Sequence, residues 1–118
     1  SWAVTGPEKR FYFAGDTGYF PGFKEIGEKL GPFDVAAMHI GADEPNAMMK
    51  ASHMDPSESV MASLDVKAAQ VLAIHFGTFD LSDEPLAEPP VLFKEAAAKT
   101  ALAGDKTWVF DVGETREF

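Results

Sequence analysis

The run Phe11-Tyr12-Phe13-Ala14-Gly15-Asp16-Thr17-Gly18 is a short apolar strand that stops on a glycine-flanked carboxylate. Val71-Leu72-Ala73-Ile74-His75-Phe76-Gly77-Thr78 repeats the plan with an imidazole. A strand that ends this way delivers a coordinating side chain to the edge of a sheet, where an ion or small ligand can reach it. The apolar stretches themselves, Phe11 to Ala14 and Val71 to Ile74, carry no inside/outside alternation, as in strands covered on both faces. Two ligands fall short of the roughly three protein ligands that catalytic zinc takes. The rest are expected from sequence beyond this chain or from another chain.

Outward from these runs, strands and helices alternate. Trp2 to Thr5 and Arg10 to Ala14 are β-prone and flank the turn cluster Gly6-Pro7-Glu8-Lys9, which predicts a hairpin. Phe20, Phe23, Ile26 and Leu30 recur at helical spacing before Gly31-Pro32, which predicts a helix over Pro21 to Leu30. Phe33 to Ile40 reads as a strand ending in Gly41, followed by a long irregular stretch with Pro45 and Met48-Met49. Asp55-Pro56-Ser57-Glu58 has the makings of a capping box, opening a second helix with Val60, Met61 and Leu64 turned inward. Gln70 to Ile74 is the next strand. A third helix, Pro90 to Ala103, presents Leu92, Phe93, Ala96 and Leu102, with Gly104 at the C-cap position. Thr107 to Asp111 is the last strand. This is an α/β layout of about five strands and three helices, forming one unit over 1–118. Three helices can cover one sheet face, so a second layer is expected over the other.

The 118 residues carry a net charge of -9, with ten Lys and Arg in all, against a nucleic-acid partner. There is no cysteine, so transition-metal chemistry would rest on His and carboxylates. A cytoplasmic setting fits this composition. No run reaches the roughly 18 apolar residues needed to span a bilayer, which leaves at most peripheral membrane contact. The chain starts with Ser1-Trp2-Ala3-Val4, as though a strand were already under way, and is expected to be a fragment.

Each candidate has a structural alternative. Asp16 could be a turn aspartate capping the first helix. His75 and His39 could be core histidines with hydrogen-bond partners. His53, in Ser52-His53-Met54-Asp55-Pro56, could be a solvated loop residue. The three histidines show no i,i+2 or i,i+4 pair. Asp43-Glu44 and Asp83-Glu84 read as solvated turns ahead of prolines rather than acid/base dyads. Nucleophile-elbow and phosphate-loop motifs are missing.

Seven motifs in order carry a resemblance: Phe13-Ala14-Gly15-Asp16-Thr17-Gly18-Tyr19, Gly31-Pro32-Phe33-Asp34, Ile40-Gly41-Ala42, Met49-Lys50, His53-Met54-Asp55-Pro56, Ala73-Ile74-His75-Phe76-Gly77-Thr78-Phe79 and Glu88-Pro89-Pro90. Over nearly its whole length the chain resembles the C-terminal half of the N-acyl-phosphatidylethanolamine-hydrolysing phospholipase D family and its bacterial relatives, within the metallo-β-lactamase superfamily. The resemblance implies the C-terminal half of a four-layered αββα sandwich, with the N-terminal half absent, and two metals, usually zinc, at the edge between halves. It implies that Asp16 bridges both metals and that His75 is a terminal ligand of one. The other ligands, in a His-x-His-x-Asp-His motif and one further His, belong to the absent half.

The implied chemistry is phosphodiester hydrolysis by a hydroxide held between the metals, releasing phosphatidic acid and an N-acylethanolamine. His53 matches a histidine near that site and is expected to meet the substrate phosphate or transfer a proton. Where the family usually has Pro-Ile-Gly-Ala-Tyr, this chain has His39-Ile40-Gly41-Ala42-Asp43; Ala47-Met48 replace aromatic residues, and Phe76 replaces the common Trp. These departures lie where an acyl groove would form, and His39 could add a polar group near the metals. Alternatives are a relative acting on small phosphodiesters or lactones, and a noncatalytic α/β fragment that self-associates, for instance as a homodimer. The expected partner is the absent half or a second copy of the chain. Alone, the 118 residues are expected to be inactive and to bind zinc weakly.

Overall fold

The computed structural model describes residues 1–41, 52–78 and 85–118. Met48-Met49 and the carboxylate pairs Asp43-Glu44 and Asp83-Glu84 lie outside them. Strand β1 (Trp2–Thr5) pairs antiparallel with β2 (Arg10–Phe13), and the turn closes with the Gly6 N–H donating to the Lys9 carbonyl at 2.8 Å. Then follow helix α1 (Gly22–Lys29), β3 (Phe33–His39), α2 (Pro56–Asp65), β4 (Ala68–Ile74), α3 (Glu88–Ala97), a 3₁₀ turn (Gly104–Lys106) and β5 (Thr107–Trp108). The strands lie in the order β1-β2-β3-β4-β5, with β2 to β5 parallel. Among the described residues no helix is long and apolar enough to cross a membrane.

Sequential parallel strands explain the layering. Each strand-helix-strand crossover takes the same hand, so strands added in one direction place successive helices on one face. The register shows which residues face them: Ala3, Tyr12, Ala36 and Val71 form a row across β1 to β4. Tyr12, Ala36 and Val71 pack in one core with Phe23, Val60, Ala62, Phe93, Ala97 and Leu102. The neighbouring row, Trp2, Phe13, Ala37, Leu72 and Trp108, points the other way. Trp2 is 74% exposed and Phe13 39%. The end of the chain covers part of this face: the Arg116 guanidinium lies over the rings of Trp108 and Phe110, and Phe118 meets Phe11.

The capping box at α2 forms as expected. Asp55 accepts from the Glu58 N–H at 2.8 Å, and Glu58 accepts from the Asp55 N–H at 3.3 Å. The inward face of that helix differs. Val60 is buried, but Met61 and Leu64 are exposed, and Ser59, Ala62 and Ser63 take the inner positions. Small residues let the helix lie close to the sheet, and the Ser63 hydroxyl donates a hydrogen bond to the Ser59 carbonyl inside the helix. Likewise Leu92 is exposed while Phe93 is buried. Helix α3 stops at Ala97, so Gly104 opens the 3₁₀ turn at φ 71° rather than capping the helix. The last strand has two residues because the chain leaves the sheet after Trp108.

Candidate metal centre

Parallel strands bring their C-terminal ends to one edge, and in this sheet β2, β3 and β4 end side by side. The Ala14 N–H donates to the Ala37 carbonyl at 3.0 Å, and the Ile40 N–H to the Ile74 carbonyl at 3.1 Å. Asp16 therefore leaves the end of β2 and His75 the end of β4, with β3 between them. The turns are made by backbone in the left-handed region: Gly15 at φ 67°, Gly77 at φ 75° and His75 itself at φ 59°. For a histidine that conformation costs on the order of 1–3 kcal/mol, and such strain gathers at functional sites. Gly41 allows the close approach, because a Cβ there would stand 2.6 Å from the His75 carbonyl oxygen.

His53 arrives from another direction. It precedes the Asp55 cap, so the capping box that starts α2 also fixes the turn that carries its ring. Asp16, His53 and His75 each offer a ligand atom, and these atoms all lie within 4.8 Å of one another. His75 Nε2 is 3.6 Å from Asp16 Oδ1, and the His53 and His75 ring centroids are 5.3 Å apart.

The structural alternatives for these residues are not what the structure shows. Asp16 does not cap α1, whose cap residue is Pro21 with no side-chain hydrogen bond. His75 is not a core histidine, since its side chain is 31% exposed. His53 is not a solvated loop residue: its Nδ1 is buried with no hydrogen-bond partner among the described residues. Shielding an imidazole nitrogen from water without a partner is unfavourable, and that orphan atom fits a donor set meant for a cation or an anionic oxygen. Two imidazoles and a carboxylate suit zinc and other divalent first-row metals.

His39 is a core histidine with hydrogen-bond partners, one of the two readings open to it, and it lies beside the site, its ring centroid 5.6 Å from that of His53 and 6.1 Å from that of His75. It is fully buried, and both ring nitrogens are engaged, Nδ1 with the Gly15 carbonyl at 2.8 Å and Nε2 with the Met54 N–H at 2.7 Å. It offers no lone pair to an ion. Burial lowers its pKa from 6.5 to about 4, against the raising effect of the Gly15 hydrogen bond. Nothing local in the sequence identified its partners, because both are backbone atoms of distant turns.

Comparison with known proteins shows the family. Residues 1–76, which include Asp16, His53 and His75, match the model of the Beta-lactamase superfamily domain. The chain is 44% identical over 119 residues to N-acyl-phosphatidylethanolamine-hydrolyzing phospholipase D 1 of Caenorhabditis elegans, covering 98% of this chain and 33% of that protein. It is 36% identical over 107 residues to a metal-dependent hydrolase of Listeria monocytogenes, covering 91% of this chain and 40% of the relative. The solved structure of a metallo hydrolase from the hyperthermophilic archaeon Ignicoccus hospitalis superposes with a TM-score of 0.71 at 29% identity, over 98% of this chain and 45% of that one. The chain thus spans less than half the length of each of these relatives. With most of its residues matched by the family model and its α/β sheet shared with a metallo hydrolase, the chain belongs to the metallo-β-lactamase superfamily.

Proposed function

We propose that this chain supplies one half of the metal centre of a hydrolase, most like a phospholipase D-type phosphodiesterase. The convergence of Asp16, His53 and His75 at the sheet edge carries this reading. Asp16 and His75 would hold the metal, zinc by the chemistry of the donor set, and the remaining ligands would come from a second α/β half. That half, or a second copy of the chain, would cover the face where Trp2 and Phe13 are exposed. When bound, such ions supply Lewis acidity, activating water at neutral pH and neutralising charge that develops on a phosphoryl oxygen.

The chain's own residues have distinct tasks in that reading. Asp16, following the left-handed Gly15, and His75, itself in the left-handed region, hold their donor atoms at two strand ends before substrate arrives. His53, whose buried Nδ1 has no hydrogen-bond partner among the described residues, meets the phosphate or hands a proton to the departing alkoxide. Water adds across one P–O bond, giving a phosphomonoester and an alcohol. For an N-acyl-phosphatidylethanolamine these are phosphatidic acid and an N-acylethanolamine. Such a substrate would bring the protein to a membrane surface as a peripheral enzyme.

The departures at Asp43, Ala47-Met48 and Phe76 favour a second reading, in which the same centre acts on small phosphodiesters or lactones. The full-length zinc-loaded protein, incubated in parallel with N-acyl-phosphatidylethanolamine vesicles, bis(p-nitrophenyl) phosphate and a homoserine lactone, separates the two. Release of an N-acylethanolamine supports the first reading. Turnover of only a soluble substrate moves the assignment to the second, and no turnover of any with metal bound would remove the hydrolase reading for these substrate classes.

A further inference from the structure

His39 is the one histidine outside the group formed by Asp16, His53 and His75, and it ends β3, the strand between the two that carry Asp16 and His75. Its partners fix its chemical form. A carbonyl oxygen can only accept, so the Gly15 bond requires a proton on Nδ1. A backbone N–H can only donate, so the Met54 bond requires a bare Nε2. Only the neutral Nδ1–H tautomer satisfies both.

The positions of those partners matter more. Gly15 immediately precedes Asp16, and Met54 immediately follows His53. One imidazole ring therefore ties the turn bearing the carboxylate to the turn bearing the histidine. The same segment reaches the third member, since the Ile40 N–H donates to the carbonyl of Ile74, directly before His75. The His39 carbonyl is held in turn by the Ser59 hydroxyl, one turn into α2. Each of the three site residues is thus one peptide from an atom bonded to His39 or Ile40. Among the described residues no backbone hydrogen bond joins the two turns, so the ring is a direct link between Asp16 and His53 that does not use their own side chains.

We infer that His39 is a positioning residue, whose ring sets the spacing of Asp16 and His53 by bridging the Gly15 carbonyl and the Met54 amide. This rests on the reading of Asp16 and His75 as metal ligands with His53 beside them in the same centre, whose spacing the ion reports. A carboxamide can replace either link alone. In His39→Asn the amide nitrogen can take the place of Nδ1 toward Gly15, and in His39→Gln the amide oxygen can take that of Nε2 toward Met54. His39→Phe fills the space with neither.

The test titrates Co²⁺ into the metal-free full-length protein and its variants, reading affinity and the visible ligand-field spectrum. Loss of an orienting partner is expected to weaken affinity roughly 10- to 100-fold, with His39→Phe lowest, His39→Asn and His39→Gln between it and wild type, and altered band positions in all three. Unchanged affinity and spectrum in all three variants would overturn the inference. Asp16→Ala is the control for the underlying reading: if it leaves Co²⁺ binding intact, the metal-centre reading fails, whatever His39 does. A readout that needs no variant to fold is the histidine ¹⁵N–¹H correlation spectrum of the metal-free wild type at neutral pH. A protected Nδ1–H on His39 with Nε2 unprotonated is expected, and an Nε2–H form would refute the bridge.

Discussion

Asp16 Oδ1 stands 3.6 Å from His75 Nε2, beyond hydrogen-bonding range, yet both belong to a group whose ligand atoms lie within 4.8 Å of one another. In the proposed reading these two groups, delivered to one point by separate strand ends, share a metal ion. Asp16→Ala and His75→Ala in the full-length protein should each weaken zinc affinity by more than about 100-fold, exceeding the loss of a merely orienting partner. Because Asp16 is exposed and His75 is only partly covered, the melting temperature of the metal-free protein should hardly move. Calorimetric titration with a parallel thermal melt checks both. Zinc affinity equal to wild type would place the metal elsewhere.

Gly41, two residues past the end of β3, supports the same site. A methyl group there would meet the His75 carbonyl oxygen at 2.6 Å and the Phe76 backbone at 3.3 Å, and backbone cannot swing away as a flexible side chain can. Gly41→Ala should push the start of the His75 turn away from β3, costing about 1–3 kcal/mol as overpacking does. Zinc affinity should fall with it. Urea unfolding of the metal-free variant gives the first quantity and zinc titration the second; a variant as stable as wild type would show that the two strand ends separate freely.

What the sequence revealed was mostly local. The hairpin, the strand ending before Asp16 and the Asp55 cap all depend on residues within a few positions of one another, and each forms where expected. The inner face of α2 was misread because periodicity marks the larger apolar residues, Met61 and Leu64, whereas close packing on the sheet selected Ser59, Ala62 and Ser63. The roles of Asp16 and His75 could be suspected from their strand ends. The position of His53 beside them, and the link through His39, depend on contacts between turns far apart in sequence, for which no spacing rule exists. The resemblance placed His53 near the site, while the burial of its Nδ1, without a partner among the described residues, is visible only in three dimensions.

Burial of His39 gives stability a pH dependence of known sign. Its folded pKa of about 4 lies below the ordinary 6.5, so above pH 6.5 neither state is protonated and His39 contributes no pH dependence. As pH falls from 6.5 toward 4, the unfolded chain binds a proton that the folded chain resists, and stability declines. Below about 4 both states are protonated and this contribution levels off. The full loss is of order 3 kcal/mol, and a protonated Nε2 could no longer accept from Met54. Urea unfolding of the metal-free protein from pH 7.5 to 4 should show that decline. His39→Asn, though less stable throughout, should lack the His39 part of the slope. Equal slopes in the two proteins would assign the pH dependence to other groups.

The open face of the sheet gives the last prediction. Trp2, Phe13 and Val4 are exposed on neighbouring antiparallel strands, with Trp2 directly opposite Phe13. Cross-strand aromatic pairs stabilise a sheet by roughly 0.2–1 kcal/mol, but most of the favourable energy of such a surface comes from removing it from water. Expressed as the 118-residue chain, the protein should therefore self-associate in a concentration-dependent way. Trp2→Ser together with Phe13→Ser should lower the association constant at least about tenfold, or roughly 1.4 kcal/mol, with little change in helix content. Sedimentation equilibrium over a range of concentrations measures this. Should the unmodified chain remain monomeric at high micromolar concentration, the apolar row would not be acting as an interface between copies, leaving the second α/β half as its proposed cover.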